Sequence, residues 1–222
     1  MQEKRYSLEE TAYAILEEKI LSGAIPAGEC ITEQHACDLT GASRTPVREA
    51  IRHLERDGLI RIEPNRTAVV VGIGRTDLAD IYEIRRRIEG LASRRAAGKA
   101  GETDCARLFE IVEMQEFFLE KGGTEKLKDL DGEFHDLVYR ICDSRIISEA
   151  LVRLHRQIAL YRKRSLFAPG RAAESVREHR AIAEAIRKGD GDAAEELTVR
   201  HVEAAYLNLM KVLEKNYGTD LD

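Results

Sequence analysis

The 222-residue chain contains no tryptophan, few aromatic residues (5%) and only four prolines. Because proline is the strongest helix breaker, its scarcity favours long helices over a fold rich in turns. The sequence also lacks the run of about 18 apolar residues that a membrane-spanning helix needs, so we expect no membrane partner. An excess of positive charge is missing too. The net charge of −5 argues against non-specific coating of nucleic acid, but it leaves room for one local DNA-binding surface.

Cysteine chemistry is sparse as well. The four cysteines, Cys30, Cys37, Cys105 and Cys142, form no C-x-x-C pair. The N-terminal residues MQEKRYSLEE are polar and acidic, unlike a secretory or organellar targeting segment. We therefore expect reduced thiols in a cytoplasmic protein.

The stretch 43–57 predicts an amphipathic helix. Its apolar residues recur at the helical spacing of one buried face: Val47, Ala50, Ile51 and Leu54. Arg44, Arg48 and Arg52 follow one another every four residues on a different face. Residues 43–66 contain six arginines against four acidic residues, a local balance of +2 in an acidic chain. A short helix with arginines opposite its buried face suits the DNA major groove, where arginine pairs with guanine or grips phosphates.

The sequence around this stretch predicts a winged helix-turn-helix. Two further helices precede it, at about 8–22 and 33–39, and Gly41 supplies a tight turn before residue 43. Two β-branched runs, 59–62 and 68–71, follow it and predict a hairpin. We place the end of this domain at residue 74, which gives a DNA-binding domain over 1–74.

Residues 75–222 contain no convincing strand and predict an all-α antiparallel helical bundle. Glycine-containing breaks divide this region into six helical blocks, at 76–98, 103–121, 124–142, 145–167, 172–188 and 190–215. The predicted fold class is therefore mostly α, with a winged helix-turn-helix followed by a helical bundle.

The segments SRTPVREAI and HLERDGLI resemble the recognition helix of GntR-type winged helix-turn-helix regulators. The resemblance implies a homodimer that binds a palindromic operator in double-stranded DNA. It also implies a set of DNA contacts on the recognition helix, the helix before it and the wing: Arg44, Thr45, Arg48, Ser43, Gln34 and Arg66. This chain departs from the family at the wing, where Thr67 stands in place of the usual glycine.

A second set of residues lies in the predicted bundle. Asp131 and His135 are four residues apart, which places them on one helix face. His179 and His201 share helix faces with apolar residues, so both are expected to point inward. One carboxylate and three imidazoles can bind a divalent metal such as Zn²⁺, Ni²⁺ or Mn²⁺. The spacing alone leaves a second interpretation open, that each is a hydrogen-bonded core residue.

The order D-x-x-F-H, then E-H, then H, after a GntR-type head, resembles the FCD effector-binding domain of the FadR subfamily. The resemblance implies that Asp131, His135, His179 and His201 bind the metal. Arg85 and Glu89 match the opening-helix pattern of that family, and we expect Arg85 to bind the effector. Ser144, where the family often has asparagine, is a departure.

The predicted function is a transcriptional regulator, expected to be a repressor, whose operator binding is controlled by a small organic acid at the metal. Arg162 and Arg164 are weaker effector candidates, because charge runs of this kind usually form a solvated face. Two alternatives stay open, a metal-dependent enzyme with an accessory head and a pure metal sensor. We expect no catalytic residue, because Glu178 should point about 100° away from His179 around the helix.

Overall fold

The computed structural model describes residues 7–64 and 67–217. The chain forms two compact units that divide between Gly74 and Arg75. The mostly helical fold class, with a small N-terminal sheet and a C-terminal helical unit, is confirmed.

The N-terminal unit combines three helices with three short strands. Its elements in chain order are α1 (Leu8–Leu21), β1 (Cys30–Ile31), α2 (Glu33–Thr40), α3 (Arg44–Arg56), β2 (Ile60–Ile62) and β3 (Ala68–Val70). The side chain of Thr32 accepts a hydrogen bond from the His35 amide and so begins α2. Gly41 has a left-handed backbone, φ 68°, which glycine adopts without steric cost. This turn directs the chain from α2 into α3.

The sheet of this unit has the order β1-β3-β2, with both pairs antiparallel. The predicted hairpin is present, with Ile60 opposite Val70 and Ile62 opposite Ala68. Strand β1 was not predicted, because two residues are too short to show an alternating pattern. It pairs with the outer side of β3 and attaches the wing to the segment before α2.

The C-terminal unit is a helical bundle. Its elements are α4 (Arg75–Ala97), α5 (Glu102–Lys121), α6 (Thr124–Ile141), α7 (Arg145–Gln157), α8 (Ala159–Leu166), α9 (Arg171–Arg187) and α10 (Gly191–Tyr217). Helix α10 packs along α4, and Gly90 permits the close approach, since a Cβ there would lie 3.0 Å from Val199 Cγ2. None of the helices in the described ranges is long and apolar enough to cross a bilayer.

One predicted block of this bundle is wrong in detail. The single helix expected over 145–167 is two helices, which meet at Ile158 (φ −111°, ψ 15°). No glycine or proline marks this break, so the sequence carries no signal for it. Ile158 is fully buried, which indicates that packing against the core, rather than a local breaker, fixes the bend. The bend matters because His155 and Arg162 lie on either side of it.

Candidate DNA-binding and metal sites

Helix α3 separates a buried face from an exposed one, as its pattern predicts. All four predicted core residues are buried, whereas Ser43, Arg44, Thr45 and Arg48 are exposed. Ser43 is the N-cap residue, but its side chain makes no capping hydrogen bond. The first turn of α3 therefore presents polar side chains that the helix itself does not use, which suits contacts to base edges.

The other predicted DNA contacts differ in how they are held. Arg48 Nε donates to Glu33 Oε1 at 2.6 Å, and Gln34 Nε2 donates to Asp38 Oδ1 at 3.0 Å. Arg44 forms no ion pair within residues 7–64 and 67–217, so its guanidinium is free to reach DNA. Arg66 lies outside the described residues.

Three of the four predicted metal ligands come together in the interior of the helical unit. One ring nitrogen from each of His135, His179 and His201 lies within 4.8 Å of the others, and all three residues are buried. They come from α6, α9 and α10. Phe134, next to His135, stacks on the His179 ring with a centroid distance of 4.2 Å. The D-x-x-F-H pattern thus supplies one histidine of the cluster, His135, and also the aromatic ring that stacks on a second one, His179.

The orientation of His179 follows from a glutamine on α5. Gln115 is fully buried, and its Nε2 donates to the Leu130 carbonyl at 3.0 Å. Its Oε1 must then accept from His179 Nδ1, which lies 3.0 Å away. His179 therefore carries its proton on Nδ1 and presents the Nε2 lone pair. That Nε2 is buried without a hydrogen-bond partner, as expected of a metal ligand.

Carboxylates lie beside the other two histidines, at hydrogen-bond distance from His201 and at a longer ion-pair distance from His135. His201 Nδ1 lies 2.7 Å from Glu178 Oε2, and His135 Nδ1 lies 3.4 Å from Glu89 Oε2. All three Nδ1 atoms thus face polar partners, which leaves the Nε2 atoms for a metal. Glu178 adjoins His179 on α9, and its carboxylate reaches His201 on α10, a contact that the expected angle of about 100° around one helix did not indicate. Glu178 orients a histidine from outside the cluster.

Asp131 lies beside the histidines and is shared with an arginine. Its Oδ1 is 3.8 Å from His179 Nε2, while its Oδ2 accepts from Arg162 Nη2 at 2.7 Å. Arg162 Nη1 also donates to His155 Nδ1 at 2.8 Å, so His155 carries its proton on Nε2 and donates to Glu89 Oε1 at 3.0 Å. The solvated-face interpretation of Arg162 is therefore wrong, since its side chain is only 17% exposed.

The electrostatics of the site favour the neutral form of His179 and His201 and the charged form of Asp131 and Glu89. Burial lowers the pKa of His179 and His201, and neighbouring positive groups lower both further. Burial opposes the charge of Asp131, but Arg162 and the three neighbouring histidines together outweigh it, and the pKa of Asp131 is lowered. In the same way, Arg85 and His155 hold the pKa of Glu89 well below its usual range. Neutral imidazoles with an ionised carboxylate are the protonation states that metal ligands need.

A small cavity of about 30 Å³ adjoins the cluster. Its polar walls include Tyr82, Arg85 and Arg171, together with Asp131, His135 and His201. Arg85 is buried, donates to Glu89 Oε1 at 2.5 Å and keeps Nη1 without a hydrogen-bond partner. The hydroxyl of Tyr82 and Nη1 of Arg171 are likewise buried and unpartnered. Three polar atoms of this wall thus make no hydrogen bond in the described chain, and two of them belong to guanidinium groups, which suits the wall to an anion.

Comparisons with known proteins identify a family for each of the two units. Residues 8–70 match the family described as bacterial regulatory proteins, gntR family, and residues 80–204 match the FCD domain. This chain belongs to the GntR family of transcriptional regulators and carries an FCD domain. The members of this family are DNA-binding regulators rather than enzymes, so the enzyme alternative is excluded.

Related GntR-family regulators match along almost the whole chain. The HTH-type transcriptional repressor RspR of Escherichia coli K12 is 28% identical over 204 residues, covering 92% of this chain and 90% of RspR. The uncharacterized HTH-type regulator YdhC of Bacillus subtilis is 30% identical over 205 residues, covering 91% of each chain. Among solved structures, Escherichia coli McbR/YncC matches with a TM-score of 0.69 and 21% identity, covering 95% of this chain and 99% of that one. That structural likeness supports the fold.

Replacing Gln115 of this GntR-family regulator by leucine should lower metal affinity about 10–100-fold, because His179 loses the acceptor that fixes its tautomer. A competition titration of Zn²⁺ against a chromophoric chelator would measure the change. Glu120→Leu, an exposed position on the same helix, is the matched control and should match the wild type. Equal affinities for Gln115→Leu and the wild type would show that His179 needs no such partner.

The metal-free regulator should lose stability as the pH falls from 7.5 to 5.5. The unfolded chain binds protons at its histidines near pH 6.5, whereas burial lowers the pKa of His155, His179 and His201 in the fold. Each histidine contributes up to about 1.4 kcal/mol of lost stability per pH unit below 6.5. The carboxylates Asp131 and Glu89 act only below about pH 4.3, outside this window. Urea denaturation in chelator should show the loss, and His179→Gln should reduce its slope. A flat profile in the wild type would contradict neutral buried histidines.

Proposed function

We propose that this regulator is a cytoplasmic homodimeric repressor that binds a palindromic operator in double-stranded DNA. In this proposal a small organic acid, bound at a divalent metal in the helical unit, releases the operator. One observation carries the proposal: the unpartnered, buried Nε2 of His179 lies among His135, His201 and Asp131, beside a cationic cavity wall.

Different residues of the site would bind the metal and the acid. His135, His179, His201 and Asp131 would hold Zn²⁺, Ni²⁺ or Mn²⁺, and the ion would supply positive charge and open coordination positions for a carboxylate. Arg85 Nη1 would donate to the acid directly, because it is buried and has no other hydrogen-bond partner. Glu89 holds Arg85 in place through the hydrogen bond to Arg85 Nε.

The operator readout would come from the exposed start of α3 in each protomer. Ser43, Arg44, Thr45 and Arg48 would reach the major groove, Gln34 would contact a phosphate or base edge, and Arg66 would extend the contact from the wing. A dimer reads two half-sites at a fixed spacing, so a change in the relation of its two heads alters affinity without touching α3.

Fluorescence anisotropy of a labelled operator, selected from a random-sequence library, tests this function. The titration compares metal-loaded with chelator-treated protein, each against a panel of three- to six-carbon mono- and dicarboxylates. We expect one acid to weaken operator binding at least tenfold in the metal-loaded protein only, within the usual range of allosteric coupling. If an acid weakens operator binding equally in metal-loaded and chelator-treated protein, the effector does not need the metal.

A pure metal sensor is the second candidate, and the cavity volume favours it. About 30 Å³ holds roughly one water molecule and no organic acid. If the ion itself is the signal, operator affinity should follow the free Zn²⁺ concentration with no acid present. The same anisotropy experiment separates the two candidates.

A further inference from the structure

A groove of about 590 Å³ lies beside the metal site, on the surface formed by α6, α7 and α8. Its lining includes four arginines: Arg140, Arg145, Arg156 and Arg162. Asp136 and Asp143 also line it, and Asp143 is already paired with Lys99 at 2.7 Å. The lining therefore carries more positive than negative charge, which favours an anionic ligand.

Two of these arginines form no ion pair with the residues that the structure describes. Arg145 pairs with Glu149 at 3.0 Å, and Arg162 pairs with Asp131. Arg140 and Arg156 form no ion pair within the described parts of the chain, and both are exposed. A ligand anion entering this groove would therefore find guanidinium groups that no carboxylate of the fold occupies.

The side chain of Arg162 is the wall shared by this groove and the histidine cavity, because it lines both. Its two terminal nitrogens bind Asp131 on the cavity side and His155 on the groove side. It belongs to α8, the short helix that follows the bend at Ile158. Among the described residues, Arg162 is thus the one side chain that lines both the 30 Å³ cavity and the 590 Å³ groove, so a ligand contact to it can be made from either space.

We propose that the groove of Arg140, Arg145 and Arg156 is the second half of the effector site, and that the effector is an elongated acid with an anionic group at each end. This inference rests on the proposed function, because one carboxylate of the effector binds at the histidine cluster and Arg85. The far anionic group binds the groove arginines, and Arg162 contacts the ligand between its two ends. The cavity of about 30 Å³ is too small for an organic acid, whereas the groove of about 590 Å³ lies within the 300–1,000 Å³ that ligand pockets usually measure. A ligand that extends from one into the other accounts for both volumes.

Isothermal titration of the Zn²⁺-loaded full chain tests the inference with acids that differ only in the second charge. D-gluconate and D-glucarate share a six-carbon polyhydroxy chain, and only glucarate has a carboxylate at both ends. Straight-chain mono- and dicarboxylates of three to eight carbons extend the comparison. We expect the best dicarboxylate to bind at least about tenfold tighter than its matched monocarboxylate, the effect of one charge-assisted pair.

The double variant Arg140→Ala/Arg156→Ala should bring the dicarboxylate down to the affinity of the monocarboxylate and leave the monocarboxylate unchanged. Arg153→Ala, an exposed arginine of α7 outside the groove lining, is the matched control and should behave like the wild type. Equal affinities within each matched pair, or a double variant that weakens both acids alike, would overturn the groove assignment alone. If no acid of either series binds, the proposed effector function falls with it.

Discussion

Replacing Arg44 by alanine is expected to lower operator affinity by about 1–3 kcal/mol for each half-site. Arg44 is the first residue of α3, is exposed and forms no ion pair within the described ranges, so its guanidinium is available to guanine or phosphate. A dimer would lose the contact twice, which corresponds to a decrease in affinity of roughly 30-fold to 10⁴-fold. Anisotropy titration with the selected operator at fixed salt measures it.

Arg56→Ala is the matched control for this prediction. It removes the same charge from an exposed position at the far end of α3, where a recognition helix does not reach base edges. Repeating both titrations over a salt series separates base from phosphate contacts, because a lost phosphate contact lowers the salt slope by about one unit. Unchanged affinity for Arg44→Ala, or an equal loss for Arg56→Ala, would show that the start of α3 does not read the operator.

The fold was accessible from the sequence because its signals are local. The buried face of α3, the cap at Thr32 and the turn at Gly41 each depend on residues within one or two helical turns. Two features escaped prediction for the opposite reason. Strand β1 exists only because residues 30 and 31 pair with β3, some forty residues later, and the bend at Ile158 is set by burial. Neither leaves a periodic or compositional trace.

The site was predictable in its centre and not in its surroundings. His179 and His201 could be placed inward from helical periodicity, and the resemblance to the family grouped them with His135. The partners that orient them come from other helices at no characteristic spacing: Gln115 on α5, Glu89 on α4 and Glu178 one helix away from His201. Helical spacing gave no indication that Glu178 contacts His201, because it describes angles around one helix and not the distance to a neighbouring helix.

Adding Zn²⁺ to the chelator-treated protein should raise the melting temperature of the helical unit by roughly 8–16 °C. An ion at 1,000 times its dissociation constant adds about 4 kcal/mol to the native state. In a chain of this size each kcal/mol shifts the melting temperature by about 2–4 °C. The physical source is the buried Nε2 of His179, which lacks a hydrogen-bond partner until a ligand fills the position. Differential scanning calorimetry with and without metal measures the shift.

Two glutamine variants decide whether that shift belongs to the histidine cluster. His179→Gln keeps a buried polar side chain but removes a predicted ligand, so the rise with Zn²⁺ should disappear. His155→Gln changes a histidine that is also buried and hydrogen-bonded, yet lies outside the cluster, so its rise should persist. A rise that survives in His179→Gln would place the metal elsewhere. No rise in the wild type would mean that the three histidines bind no ion and serve only as hydrogen-bonded residues of the core.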